Sequence, residues 1–148
     1  MSASITLAID VDADPDKVFN IISSTEGQRS FWTEDCDVSA DRARFGFAEA
    51  PVDLEVDVST EPDKLVRMRV TSGFPHWKGS TWEWELSSAS SSPPRTVVLF
   101  RHYGFEEGYE DQALGHSALT WALVLDRLAK FVATGSPQPF FLALPPVS

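Results

Sequence analysis

Apolar and polar residues alternate at the start of the chain, which is the pattern of a β-strand with one buried face. The residues that share this face are Ile5, Leu7, Ile9 and Val11. Asp14 and Pro15 then suit the N-cap and the first position of a helix. Thr25 and Gln28 have the spacing of a capping box, which predicts a second short helix. The chain therefore opens with one strand and two short helices.

The middle of the chain alternates again and predicts six further strands. They cover residues 36–39, 43–47, 52–59, 65–71, 81–87 and 96–103. Residues 72–79 contain Gly and Pro and are expected to form a loop, and residues 87–94 form a polar loop. A long helix over 110–134 follows, with apolar residues at helical spacing.

Charged residues mark the outer face of the predicted sheet. The acidic residues within 53–57 would lie across from Arg67 and Arg69, and Glu83 and Glu85 would lie across from the same arginines. Opposite charges on facing strands stabilise a sheet by roughly 0.2–1 kcal/mol per pair. The residues between them then point inward, and they are Leu54, Val56, Val66, Met68, Val70, Trp82, Trp84, Leu86, Val98, Phe100 and His102.

The order of these elements predicts an α+β fold. We expect a curved antiparallel sheet of about six or seven strands, wrapped around the long C-terminal helix, with the two short helices after strand 1 closing one end. Residues 1–135 would form this domain. Residues 136–148 form an apolar tail rich in Pro and Phe, which we expect to pack on the domain or in a dimer contact.

Composition and charge exclude several classes of partner. The 148 residues suit one domain, and 12 Lys and Arg against 22 Asp and Glu give a net charge of −10. We therefore expect neither nucleic acid nor a membrane as a partner, since binding to both depends on clustered basic residues. The single Cys36 and the absence of a signal peptide or a membrane-length apolar run favour a cytoplasmic location.

Three segments of the chain resemble one known superfamily. They are residues 9–19 (IDVDADPDKVF), 100–105 (FRHYGF) and 121–128 (WALVLDRL). The chain resembles the START-like (SRPBCC) superfamily, and within it the branch of the ATPase-activator homologues of the ninety-kilodalton heat-shock chaperone. The resemblance implies a helix-grip fold. It also implies a cavity between sheet and helix, since most members bind apolar molecules there and some are aromatases or cyclases.

The inward-facing aromatic residues have two interpretations, because they either fill a core or line a cavity for a small ligand. The second interpretation predicts a ligand-binding site between the sheet and the C-terminal helix. Its predicted residues are Trp32, Phe45, Phe47, Leu54, Val56, Met68, Val70, Trp82, Trp84, Phe100, His102, Leu114, Ser117 and Trp121.

His102 is the candidate for catalysis, although no residue is assigned a catalytic role. A histidine at an inward position serves either as a structural group or as an acid, base or donor to a ligand. Ser117, on the apolar face of the helix, is its candidate partner. His76, His116 and Cys36 do not form a recognisable metal-binding pattern, so we expect no metal and no cofactor.

Three hypotheses for function follow. The first is binding of a small hydrophobic or aromatic molecule, without catalysis, by a monomer or homodimer. The second is an aromatase-, cyclase- or hydrolase-like enzyme that uses His102. The third is a module that regulates the ATPase activity of a chaperone, as the resemblance suggests.

Overall fold

Seven antiparallel strands form one curved sheet, and a long helix packs against it. The computed structural model describes residues 4–48, 50, 52–105 and 110–142. The elements are β1 (Ser4–Val11), α1 (Pro15–Ile22), α2 (Thr25–Phe31), β2 (Cys36–Val38), β3 (Arg42–Phe45), β4 (Leu54–Glu61), β5 (Leu65–Ser72), β6 (Thr81–Ser91), β7 (Pro94–Tyr103) and α3 (Glu110–Thr134). The strand order is β1-β7-β6-β5-β4-β3-β2. The predicted α+β helix-grip fold is confirmed.

The strand alternation correctly separates the two faces of the sheet. The residues predicted to point inward are buried, namely Leu54, Val56, Val66, Met68, Val70, Trp82, Trp84, Leu86, Val98, Phe100 and His102. On the outer face, Arg67 Nε lies 2.8 Å from Glu83 Oε2. Three acidic residues differ from the prediction. Asp53 precedes β4 and pairs with Arg44 of β3 at 3.2 Å, Glu55 faces Ser72, and Glu85 faces Leu65.

The start of α2 differs from the predicted capping box. Ser24 is the N-cap, and its Oγ accepts a hydrogen bond from Gly27 N at 3.1 Å. Thr25 instead ties the helix to β2, since its Oγ1 donates to Val38 O and accepts from Val38 N. The Gln28 side chain turns inward and donates to a backbone carbonyl of α1. Both side chains of the predicted box therefore make tertiary contacts.

The hairpin between β6 and β7 is longer than its hydrophobic pattern predicts. β6 continues to Ser91 and β7 begins at Pro94, so most of the predicted loop 87–94 is strand. The polar residues there pair through their backbone, as Ser88 does with Thr96. Backbone pairing needs no apolar side chain, and the alternation therefore ends before the strand does.

The face of α3 toward the sheet is apolar. Trp121, Leu125, Leu128 and Val132 are buried on this face, as their spacing predicts. Among the described residues, no helix has both the length and the apolarity that crossing a membrane requires.

The described part of the C-terminal tail runs beside the end of α2. Three of its N–H groups donate to the carbonyls of residues 30–32 at 2.7–3.2 Å. Thr33 and Phe141 form a parallel bridge, and Glu34 N donates to Phe141 O at 3.0 Å. Residues 143–148 of the predicted tail lie outside the described residues. The tail as far as Leu142 therefore completes one end of the fold, beside α3.

Candidate functional site

An open groove of about 740 Å³ lies where α2, α3 and the tail meet two loops of the sheet. One loop follows β3, and the other joins β5 to β6 over residues 73–80 (the β5–β6 loop). We call the site the aromatic groove. Its lining residues are Trp32, Phe47, Ala48, Ala50, Phe74, His76, Trp77, His116, Ser117, Thr120, Phe140, Phe141 and Leu142.

Phenylalanine rings from three segments form the walls of the aromatic groove. The ring of Phe47 lies 5.6 Å from the ring of Phe74 and 4.9 Å from that of Phe141. All three residues are only half-buried. The walls therefore keep ring surface available for contact with another molecule.

Two tryptophans form the floor of the aromatic groove. Trp32 and Trp77 are 1% and 6% exposed. Trp77 Nε1 donates to Ser117 Oγ at 2.9 Å, and its ring stacks on Trp121 with a centroid separation of 5.6 Å. The floor is thus closed and well packed.

Glycines at both ends of the β5–β6 loop direct its aromatic residues toward the groove. Gly73 has a φ of +145° and Gly79 a φ of +79°, a range that L side chains rarely adopt. A Cβ at Gly73 would also clash with the side chain of Leu54. Between the two glycines, Phe74 O accepts hydrogen bonds from Trp77 N and Lys78 N, both at 3.0 Å. This single turn places both aromatic side chains on one side.

The polar part of the groove is small. His76 lies parallel to Phe74 with a centroid separation of 6.0 Å, and burial lowers the pKa of its imidazole. His116 and Thr120 add polar atoms from α3, beside Ser117. The groove can therefore orient a ligand by a few hydrogen bonds while its rings supply most of the contact.

His102 lies beneath this site and has partners at both ring nitrogens. Trp121 Nε1 lies 3.0 Å from His102 Nδ1, and Ser80 Oγ lies 2.8 Å from His102 Nε2. An indole N–H only donates, so Nδ1 is the acceptor and Nε2 carries the proton. Ser80 Oγ accepts a hydrogen bond from this N–H group and donates one to Trp77 O. The indole of Trp121, the imidazole of His102 and the hydroxyl of Ser80 thus each donate to an acceptor.

This geometry gives His102 a structural role. It has no exposed surface, and burial lowers its pKa to about 3, so the imidazole is neutral near neutral pH. Its predicted partner was Ser117, but the hydroxyl that it contacts is that of Ser80, and Ser117 binds Trp77 instead.

Three of the predicted ligand-binding residues line the aromatic groove. They are Trp32, Phe47 and Ser117. The others pack within the core or beside it, and they are Phe45, Leu54, Val56, Met68, Val70, Trp82, Trp84, Phe100, His102, Leu114 and Trp121. Phe100 and Trp121, for example, have ring centroids 4.5 Å apart. Ligand binding at these positions remains a prediction.

Most of the groove was absent from the sequence-based site. The missing residues are Ala48, Ala50, Phe74, His76, Trp77, His116, Thr120, Phe140, Phe141 and Leu142. Two features of the sequence could have indicated this groove. They are the aromatic residues in a loop bounded by glycines and the pair of phenylalanines in the tail. Neither position belongs to a regular element, so periodicity could not assign them to a face.

The described residues include neither a metal-binding cluster nor a reactive thiol. No three His, Cys, Asp or Glu side chains in the described ranges are grouped to hold a metal ion. Cys36 is buried, and burial raises the pKa of its thiol to about 11. Its reactive thiolate is therefore scarce at neutral pH.

Comparison with known proteins identifies the fold. No protein-family model matches the sequence, and no curated protein matches it either. The solution structure of the Aha1 dimer from Colwellia psychrerythraea has a TM-score of 0.77 and 22% identity, over 90% of this chain and 98% of that chain. CalU16 from Micromonospora echinospora has a TM-score of 0.65 and 19% identity, over 90% and 78%.

A third structure, DynU16, is a protein of the dynemicin biosynthetic locus. It has a TM-score of 0.72 and 16% identity over 94% of this chain, which spans about half the length of DynU16. At such identities the likeness concerns the fold alone. These structures confirm the helix-grip fold that the resemblance implies.

Proposed function

We propose that the aromatic groove binds a small, mostly apolar molecule with an aromatic part. The observation that carries this proposal is the half-buried wall formed by Phe47, Phe74 and Phe141, above a floor of two tryptophans. Small-ligand sites are concave and mostly apolar, with a few polar groups that fix orientation. Ring surfaces in offset or edge contact add roughly 0.5–1.5 kcal/mol per pair beyond area burial.

The size and the position of the groove support the same proposal. Its volume of about 740 Å³ falls within the range of about 300–1,000 Å³ that such pockets occupy. Its walls come from two loops and the tail, and segments of this kind adapt more readily to a ligand than a sheet interior does.

The placement of His102 supports binding rather than catalysis. A general acid or base must lie within hydrogen-bond reach of the reacting atom. His102 has both ring nitrogens engaged and no exposed surface. The enzyme hypothesis therefore loses its candidate residue, and we propose a binding protein.

A titration with naphthalene, followed by NMR of the backbone amides, tests this proposal. We expect saturable shifts that include the amides around Phe74 and Phe141. The variant Phe74→Ala should weaken binding about five- to tenfold, since it removes one wall ring. Leu99→Ala is the matched control, because it shortens a half-buried side chain on the outer face of β7 and should leave the affinity unchanged. Equal affinities for both variants would contradict the proposal.

We also expect a homodimer, because the neighbour from Colwellia psychrerythraea forms one. Leu119 and Leu123 expose 63% and 43% of their surface on adjacent turns of α3, and exposed apolar patches often mark contacts. Sedimentation equilibrium should give twice the chain mass for the native protein and the chain mass for Leu119→Glu. A native monomer would remove this part of the proposal.

A further inference from the structure

Two indole N–H groups in the core have no acceptor. Within the part of the chain that the structure describes, Trp82 Nε1 and Trp84 Nε1 are buried and form no hydrogen bond. Both residues have no exposed surface. A buried donor without a partner loses its hydration and gains no hydrogen bond in return, so these groups are sites where an acceptor from outside the chain would bind favourably.

Trp82 lies directly beneath the floor of the aromatic groove. Its ring centroid is 5.6 Å from that of Trp32 and 5.7 Å from that of Trp77, the two floor residues. Trp84 lies further in, where it contacts Trp82 and Phe100. Of the two unpartnered indoles, Trp82 is therefore the one that a ligand in the groove would reach first.

The two floor tryptophans differ in how they are held. Trp32 is the C-cap of α2, and its ring packs 4.4 Å from Phe45 and 5.0 Å from Trp121. Trp77 belongs to the short β5–β6 loop, with Gly79 two residues further on, and its indole donates to a single hydroxyl, that of Ser117. Rotation of Trp77 breaks this hydrogen bond and its ring contacts with Trp121 and His102, whereas displacement of Trp32 also moves the end of α2.

We infer that Trp77 is a plug between the aromatic groove and Trp82, and that the ligand is a neutral aromatic ketone or quinone whose oxygen accepts the Trp82 N–H. This inference rests on the proposed function of the groove. Trp77 turns aside when such a ligand binds, and the carbonyl then occupies the opening beside Trp82.

The surroundings of Trp82 select for a neutral acceptor. Its neighbours are aromatic rings and the neutral imidazole of His102, and the rings are those of Trp32, Phe45, Trp77, Trp84 and Trp121. A carboxylate in that position would lose its hydration without meeting a cation, which is strongly unfavourable. A carbonyl oxygen loses less and gains a hydrogen bond from a donor that is otherwise unpaired.

Two probes of the same shape test the inference, 2-acetylnaphthalene and 2-isopropenylnaphthalene, which carries =CH₂ in place of the carbonyl oxygen. The native chain with ¹⁵N-labelled tryptophan reports on each indole N–H. We expect the ketone, and not the hydrocarbon, to move the Trp82 N–H signal downfield in the proton dimension. The Trp77 signal should change with the ketone as well, since its bond to Ser117 breaks. An unmoved Trp82 signal at saturating ketone would overturn the inference.

Substitution of the donor gives a second measurement. Trp82→Phe should weaken binding of the ketone about tenfold and leave binding of the hydrocarbon within about twofold. Trp84→Phe is the matched control and should affect neither probe by more than about twofold. Equal losses for both probes in Trp82→Phe would contradict the inference, and the native-chain spectra decide the matter if that variant does not fold.

These outcomes separate the inference from the proposal on which it rests. If both probes bind in the groove and the Trp82 signal does not respond, the aromatic groove is a ligand site and the inference alone fails. If neither probe binds, the proposed function and the inference fail together.

Discussion

The indole nitrogen of Trp121 lies 3.0 Å from Nδ1 of His102 and donates a hydrogen bond to it. This contact joins α3 to β7 in the centre of the core, and it fixes the proton of the imidazole on Nε2. Ser80, at the end of the β5–β6 loop, accepts a hydrogen bond from this N–H group, with its Oγ 2.8 Å from Nε2. One histidine therefore links the helix, the sheet and the loop that carries the groove floor.

Substitution of His102 should lower stability more through its lost hydrogen bonds than through its lost size. His102→Ala leaves the Trp121 N–H buried without an acceptor, which costs roughly 1–3 kcal/mol beyond the loss of packing. His102→Gln should cost less, because an amide can both accept from Trp121 and donate to Ser80. Chemical denaturation measures both free energies of unfolding. Equal losses in the two variants would contradict the assigned hydrogen bonds.

The same histidine makes stability depend on pH. The pKa of His102 is lowered from 6.5 to about 3 in the folded chain, mainly because burial disfavours the charged imidazolium. As the pH decreases, the imidazole therefore becomes protonated in the unfolded chain before it does in the folded chain. The free energy of unfolding falls between about pH 6.5 and pH 3, by roughly 1.4 kcal/mol per pH unit. Above about pH 6.5 the imidazole is neutral in both states, and the contribution of His102 to stability is fully present.

The variant His102→Gln isolates this effect, since all other titrating groups are shared. We expect the native chain to lose about 2 kcal/mol more than the variant between pH 7 and pH 5. Parallel pH profiles for the two proteins would show that His102 is not buried in its neutral form.

The alternation of residues predicted the faces of the sheet because burial and side-chain parity are linked in a strand. Trp82, Trp84 and Phe100 therefore point inward as expected. Whether inward rings leave a cavity depends on how their volumes fit, and in this chain they pack closely around Trp121. That outcome depends on three-dimensional packing, which a linear pattern does not contain.

The groove was harder to predict than the fold because most of its residues come from irregular segments. The direction of Phe74 depends on the positive φ of Gly73 and on hydrogen bonds within one turn. Phe141 reaches the groove through a bridge to Thr33. Contacts of this kind join distant parts of the chain and have no period in the sequence.

Removal of the tail tests the proposed boundary between the domain, residues 1–135, and the segment 136–148. A chain ending at Ser136 loses the backbone hydrogen bonds to residues 30–34 and two groove phenylalanines. We expect a loss of about 1–3 kcal/mol in stability and at least fivefold weaker naphthalene binding. A chain ending at Leu142 is the control and should keep both. Equal stability and affinity of the two chains would show that the tail is dispensable.

Glu83 and Glu85 provide a matched pair on the outer face of β6. The side chain of Glu83 is 10% exposed and lies 2.8 Å from Arg67, whereas that of Glu85 is 53% exposed. Glu83→Gln should cost about 1–2 kcal/mol, because it weakens a partly desolvated pair. Glu85→Gln should change stability by less than about 0.5 kcal/mol. Thermal or chemical denaturation distinguishes them, and a larger effect at Glu85 would contradict this account of the outer face.

The most direct test of the proposed function is the position of a bound probe. Nuclear Overhauser effects from naphthalene protons to methyl groups locate the probe without any substitution. We predict contacts to the methyl groups of Ala50, Thr120 and Leu142, which surround the aromatic groove. A bound probe with contacts only to methyl groups elsewhere, or no saturable binding up to the solubility limit of naphthalene, would contradict the proposal that this groove is the ligand site.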